Sequence, residues 1–402
     1  MRRFPGFFGL FVWAVAFGAA AQVPGIPSLG GPALPTRAAT DALGRSLADP
    51  LPRVPLEQLR RLQVQDLVRS ERRRLDVDPR GEPVLRGEFL AIALDAGARA
   101  AVGAAGFVIE REPGTDDALD LGLVVLRDTR SRRAGPAMRE LQRAAPSATF
   151  AFQHVYLAAG PAGAAGRATP ALPANIRIGL VDGGVDGRDP AMAGVRIVAH
   201  GCPSPVPSPH GTAVAARLLG GSRGTLYAAD LWCGDRVGRA TLGLVEALAW
   251  LARERVAVIN ISLVGPDNPV LARAVQAMLA RGHVLVAAVG NDGPAAPPLY
   301  PAAYAGVIGV SAVDGASRVL PESGSGPHVA FSAPGVVGEG RHVQRGTSFA
   351  APVVARFAAT LVYEPAPGAG AHVQATLAAQ ARDLGKPGRD PRYGIGLIGG
   401  AP

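Results

Sequence analysis

Lysine is almost missing from this 402-residue chain: Lys386 is the only one among 41 basic residues. The formal charge of +9 is therefore carried by arginine, and much of the excess lies in the N-terminal third. Aromatic residues are scarce as well, at 5%. No basic stripe or set of stacking positions accompanies the arginines, so a nucleic-acid partner is excluded and they read as solvated surface. Cysteine occurs twice, at Cys202 and Cys233, without the spacing or histidine partners of a zinc site. No dense Asp/Asn cluster of the calcium-loop kind is present, so no metal and no cofactor is expected. The longest apolar run is about 15 residues, short of the roughly 20 that a membrane-spanning helix needs. A stable membrane span is not expected.

What is present is an apolar fraction of 48% with 18% charged residues, the balance of a globular protein. The length suits two or three domains. Met1-Arg2-Arg3, an apolar centre over residues 7–17 and the small residues 18–21 read as a secretory signal peptide cut after Ala21. An uncleaved anchor is the alternative. Export to the periplasm, the medium or the cell surface follows, and the two cysteines then have two readings. They form one bridge in an oxidising compartment, or they are two buried thiols.

Residues 22–80 read as a linker followed by a weakly amphipathic helix carrying Leu56, Leu59, Leu62, Leu67 and Leu75. Over residues 81–157 strand-like runs (89–94, 107–109, 121–126, 148–156) and helical runs (96–105, 136–145) follow the order β-α-β-β-α-β. That is the ferredoxin-like split pattern, a small α+β domain. Residues 158–174 form a connector of Ala, Gly and Pro. From residue 175 to 402 near-continuous apolar strands alternate with Ala/Leu helices, which predicts an α/β domain with a parallel sheet covered by helices on both faces. Sites in such sheets form beyond the carboxyl ends of the strands.

Three residues placed there suggest chemistry. Asp182 ends the run Ile176–Val181, His210 opens His210-Gly211-Thr212, and Ser348 sits in Gly346-Thr347-Ser348-Phe349-Ala350. A serine hydroxyl is a poor nucleophile unless a base accepts its proton and a third group fixes that base's tautomer. Each residue alone has an ordinary role: a strand-end turn former, a capping or core histidine, a helix N-cap. Together, in the order Asp, His, Ser, they fit acyl transfer. Asn291, in Val289-Gly290-Asn291-Asp292-Gly293, adds a side-chain amide able to donate to a developing oxyanion. An esterase of the α/β-hydrolase type is disfavoured, because Gly-x-Ser-x-Gly is absent and the residue order differs.

On these motifs, with Ser332-Ala333-Pro334-Gly335 and Tyr393-Gly394-Ile395-Gly396, residues 176–397 resemble the subtilisin-like serine peptidases. The resemblance implies a serine endopeptidase with Ser348 as nucleophile, His210 as base, Asp182 as its orienter and Asn291 in the oxyanion hole. It also implies that peptide or protein substrates pair as a strand with Ser262, Leu263, Val264 and Gly265. Residues 81–157 resemble the inhibitory propeptide of the family, and the connector is where self-cleavage is expected. The alternative is an idle scaffold on the same fold, its cleft blocked by an uncleaved propeptide. Departures from the family pattern are Gly183 after the aspartate, Ala213 in place of a second histidine, and Val353 and Arg356 after the serine motif.

Overall fold

The computed structural model describes residues 56–111, 117–159, 172, 175–338 and 343–399. The signal-peptide region, most of the linker and most of the connector lie outside them. Among the described residues no helix is long and apolar enough to cross a membrane.

Helix α1 (Leu56–Ser70) covers the first part of the expected helix and stops before Leu75, which opens a strand. Leu67 is buried, whereas Leu59 and Leu62 are exposed. A small α+β unit follows: β1 (Leu75–Val77), β2 (Pro83–Ile92), α2 (Ala96–Ala104), β3 (Phe107–Arg111), β4 (Val124–Asp128), α3 (Ala134–Ala144) and β5 (Thr149–His154). Its five strands form one antiparallel sheet in which β2 pairs with β1, β4 and β5, giving the expected ferredoxin-like arrangement. One face of that sheet presents Phe89, Ala91, Val124, Leu126 and Phe150 to α2 and α3. The alternation of side chains along the strands sends Leu90, Ile92, Val125 and Ala151 to the opposite face, and they join a second core. The strand expected over 121–126 is β4, which begins at Val124. Asp120 and Gly122 both take positive φ, which ends the extended run and turns Leu121 and Leu123 onto the second core.

The larger unit runs β6 (Leu157–Ala158), β7 (Arg177–Asp182), β8 (Arg196–His200), α4 (Pro209–Leu219), β9 (Thr225–Asp230), α5 (Ala240–Arg253), β10 (Val258–Ile261), β11 (Leu263–Val264), α6 (Pro269–Ala280), β12 (Val284–Ala288), β13 (Ile308–Val313), β14 (Val329–Pro334), β15 (Val336–Val337), β16 (Gln344–Arg345), α7 (Thr347–Ala359) and α8 (Ala369–Gln380). Seven of these strands form a parallel sheet in the order β14-β13-β12-β10-β7-β9-β8. Its faces carry two cores. Val284, Val286 and Ala288 face α4, α7 and α8, whereas Leu285, Ala287 and Val289 face α5 and α6. Continuous apolar strands are what burial on both faces requires.

The small unit therefore docks on α5 and α6 through the outer face of its sheet, sharing their core. A buried polar knot ties the two. The Asn268 side-chain oxygen caps α6 by accepting from the Val270 and Leu271 amides, so its NH2 must point the other way, toward the Phe152 carbonyl and His154 Nδ1. That makes Nδ1 the acceptor and leaves His154 Nε2–H to donate to Asp78, 3.3 Å away.

Candidate active site

Ser208 and Pro209 set where His210 stands. The Ser208 hydroxyl accepts from the Gly211 amide as the N-cap of α4, and Pro209 occupies the first turn, where no N–H is needed. His210 is thus fixed in the opening turn, facing the carboxyl end of β7. Asp182 is the last residue of β7, and its Oδ1 lies 2.9 Å from His210 Nδ1. Ser348 is the second residue of α7, two positions past the N-cap Gly346. Its Oγ lies 3.1 Å from His210 Nε2. Asp182, His210 and Ser348 are 1%, 5% and 0% exposed. Burial pushes the imidazole toward its neutral form, but the charge and hydrogen bond of Asp182 outweigh it, and the His210 pKa ends above its ordinary value.

Gly183 has a steric explanation. A Cβ there would fall 2.7 Å from both Cβ and Oγ of Ser208, so the capping serine takes the space that a side chain at 183 would occupy. The Gly183 amide donates to Asp182 Oδ1, while buried Asp182 Oδ2 has no hydrogen-bond partner among the described residues. Arg356 is also explained: its guanidinium donates to the Leu218 and Gly220 carbonyls at the C-terminal end of α4. Arg217 donates to the Pro334 and Phe349 carbonyls. The two arginines bind together the helices that carry His210 and Ser348. Burial, with repulsion from Arg356, lowers the Arg217 pKa to about 10. Ala213 and Val353 fill the apolar core between the sheet and these helices.

Asn291 is oriented by Thr347. The Thr347 amide and hydroxyl both donate to Asn291 Oδ1, at 3.0 and 3.1 Å, and the Thr347 hydroxyl itself accepts from the Gly290 amide. With its oxygen engaged twice, Asn291 turns its Nδ2 to the Ala159 carbonyl, to which it donates. Gly346, at φ 153°, leaves the room: a Cβ there would fall 2.7 Å from Asn291 Nδ2 and 3.3 Å from the Ala159 oxygen.

Residues of the expected connector thus occupy the cleft. β6 pairs antiparallel with β11, Leu157 opposite Val264 and Ala158 opposite Leu263. The Ala159 amide donates to the Ser262 carbonyl at 3.1 Å. Ser262 is buried with its hydroxyl donating to the Ser348 carbonyl, and Asn260 donates to that hydroxyl in turn. Gly265 exchanges both backbone hydrogen bonds with Tyr300, closing the far end of this wall. Cavities of about 430 and 500 Å³ flank the strand, one beside Asp182 and His210, the other beneath α1 and beside Asn291. α1 is fastened over the second by Arg60, which bridges Asp292 at 3.3 Å and Glu82 at 2.8 Å. The sequence reading expected the connector's small residues to suit such a cleft but did not single out Ala159, since an alanine run has no local pattern, and it left Tyr156 at the end of a strand. The pairing edge Ser262–Gly265 was the one available signal.

Cys202 and Cys233 are joined by a disulfide. Among the described residues they and Asp230 form the one group of three potential metal ligands, and the bond between the sulfurs removes it as a metal site.

The chain is similar to known proteins. The family model of the subtilases, Peptidase S8, matches residues 174–396. The chain is 31% identical over 243 residues to the minor extracellular protease Epr of Bacillus subtilis, covering 56% of this chain and 38% of Epr. It is 30% identical to subtilisin of Bacillus pumilus, covering 56% of this chain and 89% of that protein. Fervidolysin of Fervidobacterium pennivorans, a keratinolytic enzyme related to subtilisin, superposes with a TM-score of 0.64 at 18% identity, over 81% of this chain and 62% of its own. This chain belongs to the subtilase family of serine peptidases.

Proposed function

We propose that the protein is an exported serine endopeptidase made as a zymogen. Ser348 attacks the peptide carbonyl while His210 takes the hydroxyl proton and later gives it to the leaving amine. Asp182 holds the imidazole by its Nδ1–H and stabilises the imidazolium. The first turn of a helix has amides without intrahelical partners. The Ser348 N–H serves with the Asn291 amide as donor to the tetrahedral oxyanion. Substrate lies as an added strand against Ser262–Gly265.

One observation carries the zymogen reading: the Asn291 amide reaches the Ala159 carbonyl while the Ala159 amide reaches Ser262. The chain presents Tyr156-Leu157-Ala158-Ala159 as a substrate presents its acyl side, so Ala159–Gly160 is the bond for self-cleavage. The small unit then remains as the inhibitor. The disulfide supports an oxidising compartment, and the relatives include extracellular enzymes.

Intact-mass analysis and N-terminal sequencing of the purified chain should find a new N-terminus at Gly160 in the wild type and none in Ser348→Ala. After acid or protease removal of the small unit, a fluorophosphonate probe should label the wild type only. A wild type that neither cuts itself nor takes the probe is a subtilase-fold scaffold, and the proposal fails.

A further inference from the structure

The cleft holds this chain's own segment, and the fit around that segment identifies a substrate class. On the reading that residues 156–159 lie where substrate lies, we infer that the enzyme cuts peptides after a small residue, with a tyrosine three positions before it. Leu299 and Gly265 are the specificity-determining residues.

The residue before the scissile bond is limited first. Ala159 is 2% exposed and belongs to the same apolar cluster as Val264 and Leu299. Its amide is tied to the Ser262 wall and its carbonyl to Asn291 on the opposite wall. Leu299 is buried in that cluster. A Cβ on Gly290, next to Asn291, would fall 2.6 Å from Leu299 Cδ1, so the leucine lies tight against the chain leading to the oxyanion donor. The neighbouring Tyr300 is locked to Gly265 by two backbone hydrogen bonds, which prevents the walls from parting. The about 500 Å³ cavity that Ala159 also borders opens toward α1, on the side of Leu59 and Arg60, and Leu299 does not line it. The Ala159 methyl is already enclosed by its apolar cluster, so a phenyl ring in its place has to displace Leu299.

Tyr156 is selected differently. Continuing the register of Leu157 with Val264 sets Tyr156 opposite Gly265. Its ring lies over that glycine: a Cβ at 265 would meet ring carbons at 2.5 and 2.6 Å. The phenol donates to the Pro266 carbonyl at 3.2 Å, and the side chain is buried. A bare glycine floor and a backbone acceptor at the ring's far end suit tyrosine. Ala158 is exposed and Leu157 half-buried, so those two positions select weakly.

The test measures kcat/KM on four chromogenic peptides with the self-processed full chain, in parallel with fluorophosphonate titration of Ser348. Tyr-Leu-Ala-Ala should exceed Tyr-Leu-Ala-Phe by about 100-fold or more, the scale of a steric pocket discrimination. It should exceed Ala-Leu-Ala-Ala by about 10-fold or more. Phe-Leu-Ala-Ala should fall between, because the ring is kept and the hydrogen bond lost. Leu299→Gly and Leu299→Ala should each raise the Phe-to-Ala ratio at the cleaved position at least about 10-fold, and Gly265→Ala should abolish the preference for tyrosine. An enzyme that takes the probe but cuts after Phe as readily as after Ala overturns this inference and leaves the peptidase reading standing. An enzyme that takes no probe overturns both.

Discussion

Whether His210 can act as a base depends on two opposed influences that meet at one ring. Its burial disfavours charge, and Asp182 favours it more strongly, so the imidazole titrates above its ordinary value of about 6.5. The base must be neutral to accept the serine proton, so kcat/KM should rise with pH along a limb lying above that value. Stability runs the other way. A raised folded-state pKa contributes stability that is complete below the unfolded value and is lost as pH rises through the folded one. The urea midpoint of Ser348→Ala should therefore fall over the same interval in which wild-type turnover rises. In Asp182→Asn burial acts alone, so the activity limb should move to lower pH and the fall in urea midpoint with rising pH should disappear. Its kcat should drop on the order of 10⁴-fold, as when the wrong imidazole tautomer is held. Steady-state pH profiles and urea titrations measure the two; a limb that stays in place in Asp182→Asn would mean that another group sets it.

At the scale of elements, the strand-end loops are where the fold needs added restraint. The disulfide joins the loop after β8 to the loop after β9, a separation of 31 residues, and the Asp230 carboxylate accepts from the Trp232 and Cys233 amides in the same turn. Closing a loop of that length removes unfolded-chain entropy worth about 3–4 kcal/mol. Replacing both cysteines by serine should lower the denaturant-derived unfolding free energy by that amount, read with Ser348→Ala to prevent self-digestion. The helices and inner strands of this unit could be read from sequence because continuous Val/Ile/Leu runs have one solution, a sheet buried on both sides. α6 begins at Pro269 behind its Asn268 cap and ends at Ala280. β14 was not anticipated, since Val329–Pro334 sits between glycine-rich turns and ends in proline. β6 was less legible still: it is two residues long and exists because β11, about 100 positions away, offers an open edge. Asp182, His210, Asn291 and Ser348 were legible because each lies in a short motif. Leu299 was not, as its effect comes from where the two walls bring it.

For the whole molecule, the decisive contact is the outer face of the small sheet on α5 and α6. Leu90, Ile92, Val125 and Ala151 enter the core there, and burying such side chains contributes about 1.5–3 kcal/mol each for the larger ones. Ile92→Asp should loosen docking and shorten the lag before activity appears, measured by hydrolysis of a chromogenic peptide after self-cleavage. An unchanged lag would show that α1 and the polar knot around Asn268 hold the unit without that face. The covalent connection gives this contact a further meaning. On the proposed zymogen reading, the inhibitor's local concentration before the Ala159–Gly160 bond is cut is set by the chain itself and no dilution alters it. After the cut, release is a dissociation and recapture a second-order encounter, so the onset of activity should quicken as the protein is diluted. On that reading the same apolar surface makes activation a matter of population density as well as of bond breaking.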